Sequence, residues 1–505
     1  MNAARAPLAA PNFLALGARH GGIVLFAGTI LLGPGAGRAQ AEDGDTAALR
    51  TEVNVLKAQL AVMQQHLSDL EARLPATEPA ASGVFSHSVA GSPTTAPTAA
   101  PALISEIADA PAPSLAQAED LRPSAAPVRQ TFGDAERGVA RVATAAPLDD
   151  PELKEFWQIP GTQTLVKFGG FAKVSMIYDT APSGSPDGFV TSQIPTSKAR
   201  YGAFDIDPYA TRFNLDIRSP GLVGPLRIYF ENDFYTGSGS AGFHLRQAYG
   251  QAGSTYAGFG YSAFTDPDAL AETLDDQGPG SEALIRLPTV REIVSLSRNV
   301  TVSLSAEKSS SDLTVGSGQV AVQQAPDLVA SWRLEQGWGH IHLAGLYRQL
   351  GYTDGTFAHQ AEGYGGVLSG VVKLGGDYLV GGVTGGQGIG RYINDLSGKG
   401  YDAAIAPGGA LEPLRLLGGY LGLTHAWSSA WRSNLVGGYL VLEHSSLLSP
   451  TAFRASQYTA ADLIWAGSRS FYVGVEGLYG RRESQDDEIR NDLRLQISLR
   501  YNLVR

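Results

Sequence analysis

The sequence predicts an all-β transmembrane barrel of about 16 antiparallel strands, and three observations carry that prediction. The first is alternation. Phe213, Leu215 and Ile217 point one way, and Arg212, Asn214, Asp216 and Arg218 the other. After the Ser219-Pro220-Gly221 break, Leu226, Ile228 and Phe230 alternate with Arg227, Tyr229 and Glu231. After a Gly/Ser turn, Phe243 and Leu245 alternate with His244 and Arg246. A period of two means strands. The second is that hairpin follows hairpin to the C-terminus, with no helical layer to cover the apolar faces. A closed barrel with lipid outside and water inside satisfies that pattern. The third is polarity. Charged residues are 17% and mean hydropathy is -0.06. No apolar run after the N-terminus reaches the roughly 18 residues a membrane helix needs.

The 505 residues include 61 glycines and no cysteine, so disulfides and thiolate metal sites are excluded. The net charge of -11 argues against nucleic acid as a partner. It leaves open the sign of the charge inside a pore.

Four segments follow in order. Residues 1–41 are expected to be a signal peptide. Arg5, Arg19 and His20 precede an apolar run from Ile23 to Leu32, and Ala39-Gln40-Ala41 has the small-x-small cleavage pattern. Residues 42–75 are expected to form a coiled-coil helix. Its seam is Leu49, Val53, Leu56, Leu60, Met63, Leu67, Leu70 and Leu74, spaced alternately by four and three. Pro75 ends it. Residues 76–155 form a Pro/Ala/Ser/Thr tract that buries too little apolar surface to offset its ordering entropy, and read as a disordered linker. Residues 156–505 are the barrel. Strands are expected near 164–179, 209–218, 224–235, 243–251, 254–264, 283–297, 299–308, 327–336, 338–350, 364–374, 376–385, 415–427, 431–444, 456–466, 470–482 and 491–504. In the last, Leu493, Leu495, Ile497, Leu499, Tyr501 and Leu503 face outward, while Asp492, Arg494, Gln496, Ser498, Arg500 and Asn502 face inward. Tyr178, Tyr209, Trp338, Trp427, Trp431 and Tyr501 are placed to form interface girdles.

Two groups of residues could carry function. Lys167, Lys173, Arg212, Arg218, Arg227, Arg246, Arg286, Arg494 and Arg500 are expected on the inner wall. The loop from Thr265 to Glu282 carries Asp266, Asp268, Glu272, Asp275 and Asp276. Folded inward, it would set an acidic surface against a basic wall across a constriction. Guanidinium forks suit carboxylates, so an arginine ladder selects small anions. The plainer reading is that these charges pair and brace the wall, since Asp216 and Glu231 neighbour Arg218 and Arg227 on one face. The acidic loop lacks EF-hand spacing, so no metal is expected. No catalytic motif is present. A barrel hydrolase would need a Ser–His pair on the outer wall, where His342 and His425 are the candidates.

The segments IPGTQTLVKFGGFAKVSMIYD (159–179), RFNLDIRSP (212–220), GPLRIYFENDF (224–234), LRQAYGQ (245–251) and DPDALAETLD (266–275) resemble the DcaP-like outer-membrane porins of Gram-negative bacteria. That resemblance implies homotrimers of sixteen-stranded barrels with a periplasmic N-terminal coiled coil. It makes the 42–75 helix a trimerisation element. It implies uptake of small anionic solutes such as dicarboxylates and aromatic acids, contact with outer-membrane lipids, and no cofactor. It maps the family's basic lumen to Arg212, Arg218, Arg227 and Arg246. The alternative is a structural envelope protein whose coiled coil tethers a plugged barrel to the cell wall.

Overall fold

The computed structural model describes residues 156–503, apart from residues 187, 198–200, 223, 237–239 and 469. The expected signal peptide, coiled-coil seam and linker lie outside the described residues.

Sixteen antiparallel strands close into a barrel, and each expected strand has its counterpart. They are β1 (Leu165–Asp179), β2 (Arg212–Ser219), β3 (Leu226–Asp233), β4 (His244–Ala252), β5 (Thr255–Tyr261), β6 (Arg286–Ser295), β7 (Val300–Glu307) and β8 (Asp327–Gln336). They continue with β9 (Gly339–Thr353), β10 (Ala358–Leu374), β11 (Asp377–Gln387), β12 (Arg415–Ala426), β13 (Trp431–Leu442), β14 (Phe453–Ser468), β15 (Phe471–Ser484) and β16 (Ile489–Asn502). Every strand pairs with its sequence neighbours. β1 closes the ring on β16, from Phe171 opposite Asn502 to Asp179 opposite Arg494. Closure leaves no sheet edge, which is what a backbone in lipid requires. Among the described residues no helix is long and apolar enough to cross a membrane.

Beside β1 the wall is built in two pieces. β2 pairs with its lower half, from Leu165 to Phe171, and the short strand Ala203–Asp207 pairs with its upper half. At the junction Gly170 has φ +127°, and a Cβ there would lie 2.1 Å from the Arg212 carbonyl oxygen, so only glycine fits.

One rim carries tight connections such as Gly253-Ser254, Gly337-Trp338 and Gly375-Gly376, and the other carries the long loops. Short turns on one side and long loops on the other are the usual asymmetry of outer-membrane barrels. Tyr178, Trp338, Trp427, Trp431 and Tyr501 are exposed on the outer wall, and Tyr209 is half-buried.

Facing follows the alternation, with two departures. In β4 the pairing with β3 shifts between Glu231 and Asn232. Arg246 points inward as expected, and so do Gln247, Tyr249 and Gln251 beyond the bulge, because an extra residue flips the phase of all that follow. The second departure is that the lumen is not wholly wet. Inward residues Leu287, Val329, Leu346, Val367, Leu416 and Leu440 pack on Phe264, Ile389, Tyr392, Ile393 and Leu396 from two inserted loops. The loops supply the covering layer that the strands alone lack.

Candidate permeation site

The acidic loop between β5 and β6 crosses the lumen. The Leu274 and Asp275 N–H groups donate to the Glu476 carboxylate on β15 at 3.0 and 2.8 Å. Lys173 on β1 donates to the Leu274 carbonyl at 2.7 Å and pairs with Asp276. Arg432 on β13 holds Glu272 at 2.6 Å. Arg333 on β8 takes Asp266 and Asp268 at 3.1 and 2.6 Å. His340 on β9 and Ser369 on β10 also donate to Asp266, each at 2.9 Å. The loop is therefore tied to six strands around the ring.

Its carboxyl groups differ in state. Burial would raise Asp266, but the His340 hydrogen bond and the neighbouring imidazole and guanidinium charges hold it below the usual carboxylate range. Burial pushes Asp275 up to about 6, against the pull of Arg494 and the Phe189 N–H. Burial pushes Glu282 up to about 8, with Asp275 adding to it and the Ala271 N–H opposing.

Beside the loop lies a cavity of ≈ 440 Å³. Of the nine expected wall cations, Arg212, Arg246, Arg286 and Arg500 line it; of the loop acids, Asp268, Glu272, Asp275 and Asp276 do. Arg212 lies 3.7 Å from Glu231 and 3.5 Å from Asp233, and Arg246 meets the same two acids. Arg286 stacks on Tyr261 at 5.2 Å. Arg500 stacks on Phe171 at 3.6 Å and donates to Asn502 at 2.9 Å. Among the described residues no ion pair involves Arg286 or Arg500.

The other expected cations lie elsewhere. Arg218 and Arg227 share Asp216 at 3.0 and 2.8 Å, so the expected bracing is met there, while Glu231 serves Arg212 and Arg246 instead. Arg494 forks onto Asp179 at 2.7 and 2.9 Å across the closing seam. Lys173 is buried under the loop, and Lys167 stands 5.9 Å from the Phe156 ring. Asp266 is buried behind the cavity rather than lining it. Of the two candidate outer-wall histidines, His342 is buried on the inner face, and His425 pairs with Asp377 at 2.8 Å. Among the described residues no group of three or more metal-ligating side chains converges.

Sequence reading overlooked Arg333, His340 and Lys373, which also line the cavity. The signal was present for Arg333, which alternates with Trp332 and Leu334. It overlooked too the loop between β11 and β12, whose Asp402 binds the fully buried Arg348 at 2.8 Å, with Asp327 at 3.3 Å on the other side.

The sequence profile described as the Porin subfamily matches residues 154–483, more than half of the chain. The chain belongs to that family. Among solved structures, the outer membrane channel DcaP of Acinetobacter baumannii superposes on this porin with a TM-score of 0.61 at 20% identity, over 69% of this chain and 99% of that one. The anion-selective porin from Comamonas acidovorans gives 0.45 at 10% identity, over 67% and 100%. OmpT of Vibrio cholerae in its trimer form gives 0.43 at 11% identity, over 67% and 99%. No curated protein sequence matches the chain. The likeness to DcaP is one of fold, and together with the family match it bears out the resemblance read from sequence. This porin is an outer-membrane protein whose family and fold indicate a channel rather than an enzyme, and they do not favour the tethering alternative.

Proposed function

We propose that this porin passes small hydrophilic solutes down their gradients and prefers anions, dicarboxylates and aromatic acids among them. It works as a homotrimer whose 42–75 helix lies in the periplasm. The observation that supports the anion preference is the charge ledger of the cavity. Of the acids lining the cavity, Asp268 and Glu335 lie within 4 Å of Arg333, Glu272 of Arg432, Asp275 of Arg494 and Asp276 of Lys173. Glu282 is largely uncharged at neutral pH because burial has pushed it up to about 8. Arg286 and Arg500 form no ion pair among the described residues and keep their charge for solute. A guanidinium stacked on a ring still has its N–H edge available, and that edge matches a carboxylate. Phe171 and Tyr472 beside Arg500 add flat apolar surface suited to an aromatic acid.

Reversal potentials of the purified porin in planar bilayers under a KCl gradient test this. Wild type should be anion-selective. The Arg286→Ala/Arg500→Ala double variant should lose about three- to tenfold of its anion-to-cation permeability ratio, the equivalent of ~1 kcal/mol of screened Coulomb attraction. A cation-selective wild type would mean that the acidic loop sets the field, and the anion reading would fall.

A further inference from the structure

A second, much smaller space lies against the inner face of β6, β7, β8 and β9. Its volume is ≈ 10 Å³, and it is lined by Arg291, Thr301, Ser303, Ser331, Arg333 and His342, with Ile293 the apolar remainder. No carboxylate lines it. Arg291 is 4% exposed and His342 is 2% exposed. Neither ring nitrogen of His342 has a hydrogen-bond partner, nor has Nε of Arg291. Arg291 spends one nitrogen on the Tyr261 carbonyl at 2.6 Å and lies 5.4 Å from the Tyr256 ring, and among the described residues it joins no ion pair. Asp266, on the loop nearby, is already engaged by Arg333, His340 and Ser369. Ser303 and Ser331 bond each other at 2.6 Å, which leaves one hydroxyl hydrogen of the pair free to donate.

Size and charge together narrow the occupant. A space of about 10–15 Å³ on this measure seats one water-sized particle beside these buried atoms, so a monatomic anion fits it whole, whereas phosphate, sulfate or an organic acid would have to project from it. A buried guanidinium without a counter-charge is costly, and water supplies no charge. A monatomic anion does. It accepts from Arg291 Nε, from the imidazole N–H and from the hydroxyls at once, and it needs no donor of its own.

We propose that this wall pocket binds a single dehydrated halide, supplied as chloride, which serves as the counter-ion of Arg291 and braces β6 to β9. The site shares Arg333 with the solute cavity but does not depend on the selectivity proposed for that cavity.

The test is diffraction from crystals of the full-length porin in sodium bromide, with data collected at the bromine absorption edge. An anomalous peak between Arg291 Nε and the His342 ring is the expected result. An ordinary water at that position with no anomalous signal, or bromide found only on exposed surface residues, overturns the proposal. The wild-type crystal alone decides, so the result does not hang on a variant folding. As a second reading, the melting temperature of wild type should be higher in chloride than in gluconate at equal ionic strength, and Arg291→Gln should lose that difference. Equal melting temperatures for wild type in the two salts would also overturn it.

Discussion

Glu282 ends the constriction loop and is buried, with Oε1 accepting the Ala271 N–H at 3.1 Å. Burial raises its folded pKa from 4.5 to about 8. The folded state therefore binds more protons than the unfolded state between those two values, and stability falls as pH rises through that window. Below it both states are protonated and nothing is lost; above about 8 the ionisation penalty is complete. Heating curves of the barrel between pH 5 and 9 should show this decline, and Glu282→Gln, which keeps the acceptor oxygen, should flatten it. An unchanged slope in the variant would assign the pH dependence to another group. Little of this is legible in sequence, where Glu282 is one more acid in an acidic run. What separates it from Asp268 is that Asp268 meets a guanidinium at 2.6 Å, whereas Glu282 meets a backbone amide. The same holds for the arginines. Arg218 and Arg286 look alike in an alternating strand, yet one is neutralised by Asp216 and the other stacks on Tyr261.

The constriction loop keeps its path through anchors on several strands rather than through internal structure, since its only helical turn is the 3-10 turn Pro267–Ala269. Glu476 is the anchor with the most to lose, because it alone accepts the Leu274 and Asp275 N–H groups. Glu476→Ala leaves two buried donors without partners, a cost of roughly 2–4 kcal/mol concentrated on the loop. The expected outcome is a barrel that still inserts but shows larger single-channel conductance and noisier open-channel current. Conductance equal to wild type would show that the Lys173, Arg333 and Arg432 contacts suffice. The strands were readable element by element because facing repeats every two residues. β10 illustrates the limit: it begins at Ala358, six residues before the expected 364, because Ala358 to Gly363 carry no large apolar side chain to mark an outward face. The loop between β11 and β12 was missed for another reason. Its apolar residues Ile389, Tyr392 and Leu396 read as ordinary loop composition, and only the inward faces of β6, β9 and β12 show what they cover.

For the molecule as a whole, the outer wall is set by lipid and the inner wall by what the loops bring to it. Leu495, 56% exposed in the middle of β16, and Gln496, 2% exposed beside it, make the contrast testable. Leu495→Arg should cost about 2–4 kcal/mol in urea-driven unfolding from vesicles, the penalty for a cation at mid-membrane. Gln496→Arg should be far milder and should act on selectivity instead. Equal costs would mean that the two faces are not divided between lipid and lumen. The role of the N-terminal third is separable in the same way. A chain lacking residues 42–150 should still conduct in bilayers if this protein is a pore, and should lose the stepwise triplets of a trimer if the 42–75 helix assembles it. Loss of all conductance from a folded barrel would revive the tethering alternative.

Strand number, the barrel class and strand facing outside the β4 bulge were determined by the sequence alone. They rest on a local period of two and on the demand of lipid that every backbone group be paired within a closed sheet. Which charges remain available to a solute was decided only by the tertiary structure. The partners that settle it are far apart in the chain: 65 residues between Arg333 and Asp268, 103 between Lys173 and Asp276, and 315 between Arg494 and Asp179. Coulomb energy depends on distance in space, and the closing of the barrel and the folding of loops into the lumen set those distances.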